Sequence, residues 1–362
     1  MPGRPALLTF ALLAGCQQVW GLERSIDAPL PLDASPDVPA DAAHCYGTGL
    51  VTLCLETAPS GNFDVALGGT FLVDTRQGSA ICAKHDGDQS WCVIAAETMT
   101  IGGTLRGRGP NPLVLVASTS ITVTGSVDVS SDIIGGAGSD PSACPGALGG
   151  GAMNGGGAGG TLGGVGGRGG AGGLGGGGGT PAPLLSITTF RGGCHGGNGA
   201  NTGPGGIGGG AVFAIAGASI VVAGAIDASG NGARGGRGSA TVPGGGGGGG
   251  SGGMIGLDAP QITVTGSVFA NGGAGGEGGG QPSDGEPGEK PQLALTPARG
   301  GMTGTIPGGD GGDGAAGAGL SGMNAKSGMM SIGGGGGGGG GAGIIHVFPM
   351  QDLGVNVSPA PS

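Results

Sequence analysis

Apolar residues recur in this chain in a nine-residue unit. Ile121-Thr-Val-Thr-Gly-Ser-Val-Asp-Val129 alternates apolar with small or polar side chains, and Ile220-Val-Val-Ala-Gly-Ala-Ile-Asp-Ala228 and Ile262-Thr-Val-Thr-Gly-Ser-Val-Phe-Ala270 repeat it. Earlier copies are Met99-Thr-Ile-Gly-Gly-Thr-Leu-Arg-Gly107 and Val65-Ala-Leu-Gly-Gly-Thr-Phe-Leu-Val73, and a degenerate one runs through Leu353, Val355 and Val357. A period of two is that of a half-buried strand. Glycine holds one place in the five full copies, at 69, 103, 125, 224 and 266, where a strand would bend. A second apolar pair stands seven and five residues before each later unit: Cys92 and Ile94, Val114 and Val116, Phe213 and Ile215, Ile255 and Leu257. The copies at 99 and 121 lie 22 residues apart, and later ones 99 and 42 apart, with Gly-rich surplus between. A repeat that cannot bury its apolar face alone must stack on its neighbours. The expectation is an all-β chain forming a parallel β-helix, a solenoid with Gly-rich insertions; the alternative is an antiparallel β-sandwich. Stacking would align Met99, Ile121, Ile220 and Ile262 in one column, Ile101, Val123, Val222 and Val264 in a second, and Leu105, Val127, Ile226 and Val268 in a third.

Composition adds a second material. Of 362 residues, 101 are Gly and 24 Pro, with 3% aromatic and 10% charged. No Gly-X-Y period runs through the chain, which excludes collagen, and each interior Gly costs a helix about 1 kcal/mol, which disfavours long helices. Within the insertion at 133–208, Leu162, Val165, Arg168, Ala171 and Leu174 recur every third residue with Gly-Gly between. An extended helix of three residues per turn puts those side chains on one edge and leaves two edges of bare backbone. Neighbouring chains can then approach closely enough for amide-to-carbonyl bonds, as in polyglycine II. Segments 271–280, with Ala274 and Glu277, and 308–316, with Asp310 and Asp313, carry the same period. The alternative is a flexible linker, since fixing Gly costs more entropy than fixing any other residue.

Candidate chemistry is sparse. Asp128 and Asp227 hold equivalent places in the repeat. If adjacent copies stack, they lie roughly 5 Å apart, a carboxylate spacing that glycoside hydrolysis can use. Arg106 precedes them in the column and Phe269 follows, so a solvated charge ladder explains the same residues. Gly308–Ala316 fits the calcium-binding nonapeptide once, with Ala in place of its large apolar residue. Tandem copies are absent, so no metal site is assigned, and no cofactor is implied.

At the N-terminus, Arg4 precedes a short apolar run, Ala6 to Ala14, which ends Leu13-Ala14-Gly15-Cys16. The run is too short to span a bilayer but suits a signal-peptide core. The tetrapeptide resembles the lipobox of bacterial lipoproteins, which implies cleavage before Cys16 and acylation of it. Gln17 at the next position implies the outer membrane in that family. Residues 17–43 interleave Asp27, Asp33, Asp37 and Asp41 with Pro29, Pro31, Pro36 and Pro39, the composition of an extended spacer. The formal charge is −10, which argues against nucleic acid as a partner. Six further cysteines, Cys45, Cys54, Cys82, Cys92, Cys144 and Cys194, suit an exported chain with disulfides. Six allow 15 connectivities, which sequence does not resolve; local pairing, Cys45–Cys54, Cys82–Cys92 and Cys144–Cys194, is the expectation. No C-x-x-C occurs, and Cys194-His195 is an isolated pair, which argues against zinc.

The chain as a whole resembles Gly-rich lipoproteins found in myxobacteria and their relatives, which have no assigned activity. The expected organisation is a lipoprotein signal peptide at 1–15, an Asp/Pro tether at 16–43, first coils with a disulfide-bearing cap at 44–132, the insertion at 133–208, and further coils at 209–362 with insertions at 229–252 and 271–341. The expected role is a lipid-anchored, non-enzymatic surface protein, structural or adhesive, that meets the membrane through its anchor and touches surface glycans or other surface proteins. The alternative is an extracellular polysaccharide-active enzyme using Asp128 and Asp227.

Overall fold

A computed structural model describes residues 44–362 except 87, 89, 152, 185, 202, 305, 306, 330 and 331. Cys16 and the tether lie outside the described residues. The chain divides into two units, Met1–Ala42 and Ala43–Ser362, and the described residues belong to the second.

Strands β1 (His44–Tyr46) and β2 (Leu53–Leu55) form a small antiparallel hairpin. The first large sheet holds β3 (Asn62–Val65), β5 (Cys92–Ile101), β7 (Leu113–Val123), β9 (Ala211–Ala216), β10 (Ser219–Val222), β12 (Met254–Asp258), β13 (Gln261–Val264) and β15 (Ile344–Phe348). The second holds β4 (Thr70–Asp74), β6 (Thr104–Arg108), β8 (Ser126–Asp128), β11 (Ala225–Asp227), β14 (Ser267–Phe269) and β16 (Val357–Ser358). Every strand pair within these two sheets is parallel.

The expected closed solenoid is not formed. The strands make two flat, open parallel sheets, of eight and six strands, and no third strand wall joins their margins among the described residues. An antiparallel sandwich is not formed either. Two features of the chain explain the difference. The residues expected to form separate coil faces, Val114 with Val116 and then Ile121, lie in one strand, β7, of 11 residues. The chain that would close the tube is Gly-rich, and without side chains it has nothing to fill an interior as a strand wall would.

The repeat is nonetheless real in the register. Met99 pairs with Ile121, Ile121 with Ile220 and Ile220 with Ile262. Leu105 pairs with Val127, Val127 with Ile226 and Ile226 with Val268. All eight are buried in one cluster shared by the two sheets. The recurring Gly marks the turn where the chain passes from the first sheet to the second. A Cβ on Gly125 would collide with the carbonyl oxygen of Gly103, one on Gly224 with that of Gly125, and one on Gly266 with that of Gly224. The turns therefore stack backbone on backbone, and only Gly fits there.

Three register expectations fail. Cys92 and Ile94 pair with Leu113 and Leu115, not with Val114 and Val116, because the register shifts at an irregularity between Ala96 and Thr98. Val65 pairs with Ile101 instead of Met99, because residues 66–69 form a longer turn closed by Gly69 N donating to Ala66 O at 2.9 Å. Leu67, expected inside, is 88% exposed. Ile255 and Leu257 pair with Val212 and Ala214, not with Phe213 and Ile215. A one-residue slip exchanges the two faces of a strand. Here both faces are apolar: β9 and β12 are buried at every residue, so alternation carried no register information. Their second face packs under the hairpin, where Val51, Leu53 and Leu55 join Val114, Phe213 and Met254. Asp258 fastens the hairpin by accepting from Thr48 N at 2.6 Å and Thr48 Oγ1 at 3.0 Å.

The Gly-rich segments form a second, strandless core held by backbone hydrogen bonds at three-residue intervals. Gly246, Gly249 and Gly252 donate to Gly335, Gly338 and Gly341. Gly334, Gly337 and Gly340 donate to Gly279, Gly276 and Gly273, running the other way. Segment 333–342 meets six neighbours in this manner. Its amides reach 154–160, 273–279 and 320–326, and its carbonyls accept from 164–173, 246–252 and 309–315. A chain surrounded on all its edges has no room for a Cβ; one on Gly337 would strike the carbonyl oxygen of Gly247. That is why residues 333–341 are Gly without interruption. At the surface one edge is free and carries side chains: Arg168 and Ala171 are exposed at three-residue spacing between glycines on one segment, and Met323, Lys326 and Met329, with Asn324 and Ser327 between them, are exposed on the next.

Candidate functional site

The second sheet places Arg106, Asp128, Asp227 and Phe269 side by side on successive strands, β6, β8, β11 and β14. Their neighbours in sequence, Leu105, Val127, Ile226 and Val268, point into the core, so alternation turns this row outward. The two carboxylates expected to be adjacent are in register neighbours.

Each aspartate is held by the serine two residues on. Asp128 Oδ1 accepts from Ser130 N at 3.0 Å and Ser130 Oγ at 2.5 Å, and Asp227 Oδ1 accepts from Ser229 N at 2.8 Å. Arg106 Nε lies 3.5 Å from Asp128 Oδ2, and its guanidinium also pairs with Asp132. Arg108 Nη2 reaches Asp132 at 3.2 Å, and Lys290 Nζ donates to Ser130 Oγ at 2.7 Å. Lys290, Asp132 and the two serines were not singled out from sequence. The repeated Asp-x-Ser, at 128–130 and 227–229, was the available signal.

Although part of its surface is open to solvent, dense packing around Asp227 pushes its carboxyl up to about 6, with the Asp128 charge adding a smaller push; the Ser229 bonds and Lys290 act against it. Burial also works on Asp132, but the Ile134 amide, Arg108, Arg106 and Lys290 outweigh it and hold that carboxyl below its usual value. Desolvation lowers Arg108. A raised carboxyl beside a second carboxyl is an arrangement that acid–base hydrolysis can use. The surroundings do not favour a substrate. Asp128 is already engaged by Arg106 and Ser130, and neither aspartate lines any of three cavities found elsewhere among the described residues. Those have volumes near 380, 460 and 370 Å³ and lie against Leu162 and His346, between Arg234 and Asp284, and between Met302 and Lys326.

Several rings that could stack on sugar are packed against one another instead. Phe190 meets Phe213 at 5.5 Å and Trp91 at 6.5 Å, and Phe213 stacks on Phe348 at 6.2 Å. Phe190 and Phe213 are 5% and 1% exposed, which removes them as a sugar platform.

The six cysteines form Cys45–Cys54, Cys82–Cys92 and Cys144–Cys194. The last closes the glycine insertion, and the buried Arg191 guanidinium lies 2.8 and 2.7 Å from its two sulfurs. No group of three or more His, Cys, Asp or Glu side chains with metal-binding placement occurs among the described residues. In the calcium-like stretch, Asp310 pairs with Lys326 at 2.6 Å and Asp313 accepts from Gly300 N at 2.8 Å. Among the described residues no helix is long and apolar enough to cross a membrane.

No family model matches the chain, and neither a curated protein nor a solved structure matches it.

Proposed function

We propose that the chain is a lipid-anchored, non-enzymatic surface protein, exported to the outer membrane and held there through Cys16, with the glycine bundle as its adhesive or structural surface. The observation that supports this most is the rim of the bundle. Exposed side chains sit on a hydrogen-bonded backbone scaffold, with Lys326 paired to Asp310 and the Asp313 and Glu289 carboxylates bonded to the backbone amides of Gly300 and Arg299. Such a surface is rigid, regular and shallow, which suits contact with an extended polymer or another surface better than turnover of a small substrate. Three disulfides in one unit suit an oxidising compartment outside the cytoplasm.

Labelled palmitate tests the anchor. Incorporation into the wild-type chain and none into Cys16→Ala is expected; equal labelling of both sinks it. A glycan array tests the surface. Binding without cleavage favours adhesion, and neither favours a structural coat. The second reading, a polysaccharide-active enzyme, is favoured by the raised Asp227 carboxyl beside Asp128. Cleavage of an arrayed glycan that is lost in Asp227→Asn would replace the first reading with this one.

A further inference from the structure

The two ends of the paired sheets are finished differently. At the last strands, Gln351 covers β13: its Oε1 accepts from Ile262 N at 3.0 Å and its Nε2 donates to Ala259 O at 3.1 Å, while β15 is met by the C-terminal Ser362, whose N donates to Ile345 O at 2.9 Å. Beside it, β16 is only two residues long and is followed by Pro359. Short edge strands and proline are the usual protection against unwanted strand pairing. At the first strands β3 and β4 have four and five residues, and among the described residues no side chain is bonded across β4's outer edge in the manner of Gln351. β3 pairs only with β5 and β4 only with β6, so among the described residues no strand lies on the outer edge of either. The same edge exposes an apolar group: Leu67 is 88% exposed, Leu72 64% and Phe71 36%, with Phe63 packed against Phe71 at 5.4 Å. The β1–β2 hairpin lies on the face of the first sheet, while Ile81 and Cys82 pack against the core beside β3 and β4.

We infer that the β3–β4 edge is a self-association surface, occupied by the same edge of a second copy in a two-fold dimer. Two adjacent edges, one in each sheet, are joined by the four-residue turn at 66–69. A single extended peptide could satisfy one of them. A second copy related by a two-fold axis presents both at the matching separation, with β3 antiparallel to β3 and β4 antiparallel to β4. It also buries Leu67, Leu72 and Phe71 of both copies. A two-fold pairing of like edges uses up both copies' edges, so the assembly closes at two.

The test is the mass of the full chain carrying Cys16→Ala, measured by light scattering and sedimentation from 1 to 100 μM, concentrations chosen to bracket weak association on the order of 10 μM. A dimer is expected. The double variant Leu67→Lys/Leu72→Lys, whose changed side chains are exposed, should keep the wild-type thermal midpoint and dissociate at least about tenfold more readily. Val355→Lys, exposed by the last strands, should leave the dimer intact. Amide exchange over 70–74 should slow as protein concentration rises, and it reports on the edge even if the double variant folds poorly. A wild-type monomer throughout the range, association unchanged by the lysines, or exchange at 70–74 independent of concentration would each overturn the inference.

Discussion

In the paired sheets the space between backbones is filled by Ile121, Ile220, Ile262 and their neighbours in the columns. In the glycine bundle the same space is filled by the next backbone. Both regions are buried, but their packing rules are opposite. The sheets hold strands by ladder hydrogen bonds in one direction and by apolar side chains in the other. The bundle has hydrogen bonds in every lateral direction: segment 333–342 donates to three neighbours and accepts from three more. The hydrophobic effect, which stabilises the sheets by about 25 cal/mol per Å² of apolar surface buried, has little side-chain area to act on in the bundle. There the ordering of Gly, the residue that loses most freedom on folding, must be offset by close packing and satisfied amides. The comparison teaches that volume is the currency of one core and vacancy that of the other.

The largest expected effect breaks the bundle by adding a single methyl. Gly337→Ala puts a Cβ against the Gly247 carbonyl, backbone that cannot rotate away. Overpacking of this kind costs about 3 kcal/mol, and here the displaced atom belongs to a segment with neighbours of its own. Gly177→Ala is the control, since a Cβ there meets nothing within 4 Å; it should be neutral or slightly stabilising. Thermal unfolding of both variants decides. Equal midpoints would mean that the bundle is not close-packed.

Removing volume should injure the sheets comparably. Ile220 is fully buried between Ile121 and Ile262. Ile220→Ala should cost about 3 kcal/mol through lost burial and a residual cavity, whereas Ile220→Val should cost about 1 kcal/mol. Denaturant unfolding measures both. A loss below about 1 kcal/mol for the alanine would place Ile220 at a site that collapses freely.

These two residue types also mark how far the sequence was legible. Strict alternation around Ile121, Ile220 and Ile262 fixed both the strands and their register, because one face was buried and the other was not. Around Ile255 and Cys92 the same reasoning slipped by one, at the first because the hairpin and Phe190 bury the second face as well and at the second because the register shifts between Ala96 and Thr98. Leu67 was misplaced because its turn carries two more residues than the others. The closed tube failed because alternation reports strands and says nothing of whether their sheets meet. The glycine pattern held more than was read from it. Gly-Gly-X marks a chain with a free edge, as at 162–174, and unbroken Gly, as at 333–341 and 244–250, marks one enclosed on every side. The Asp128–Asp227 pairing was legible from the repeat; Lys290 was not, because it arrives from a segment without strand periodicity.

At the seam between the regions, Lys290 reaches Ser130 at 2.7 Å, and Asn231 Nδ2 donates to the Asp132 carbonyl at 2.6 Å. Asp227 sits beside this seam with its carboxyl raised from 3.8 to about 6. A carboxyl whose folded value is raised holds its proton more tightly in the folded state. Stability is therefore greater below the unfolded value and falls as pH rises from about 4 to about 6. The loss should be on the order of 2 kcal/mol. Asp227→Asn should flatten that slope and leave the variant more stable than the wild type at pH 7. Urea midpoints from pH 3.5 to 7.5 test it. A wild-type profile that rises through the same window would show that the Ser229 and Lys290 contacts outweigh burial.

The smallest expected effect lies on the rim. Met323 is 59% exposed, and its backbone is fixed by Met323 N donating to Asp313 O and its carbonyl accepting from Gly339 N, each at 2.9 Å. The side chain contributes nothing to those bonds. Met323→Ser should change stability by less than about 0.5 kcal/mol, although it lies in the adjoining segment, some 14 positions from a glycine where one methyl is expected to cost several times more. If the rim is the adhesive surface, the same substitution should alter binding to an arrayed glycan while leaving the melting curve in place. A midpoint lowered as much as in Gly337→Ala would mean that the outer edge is packed after all, and the distinction between enclosed and free edges would fail with it.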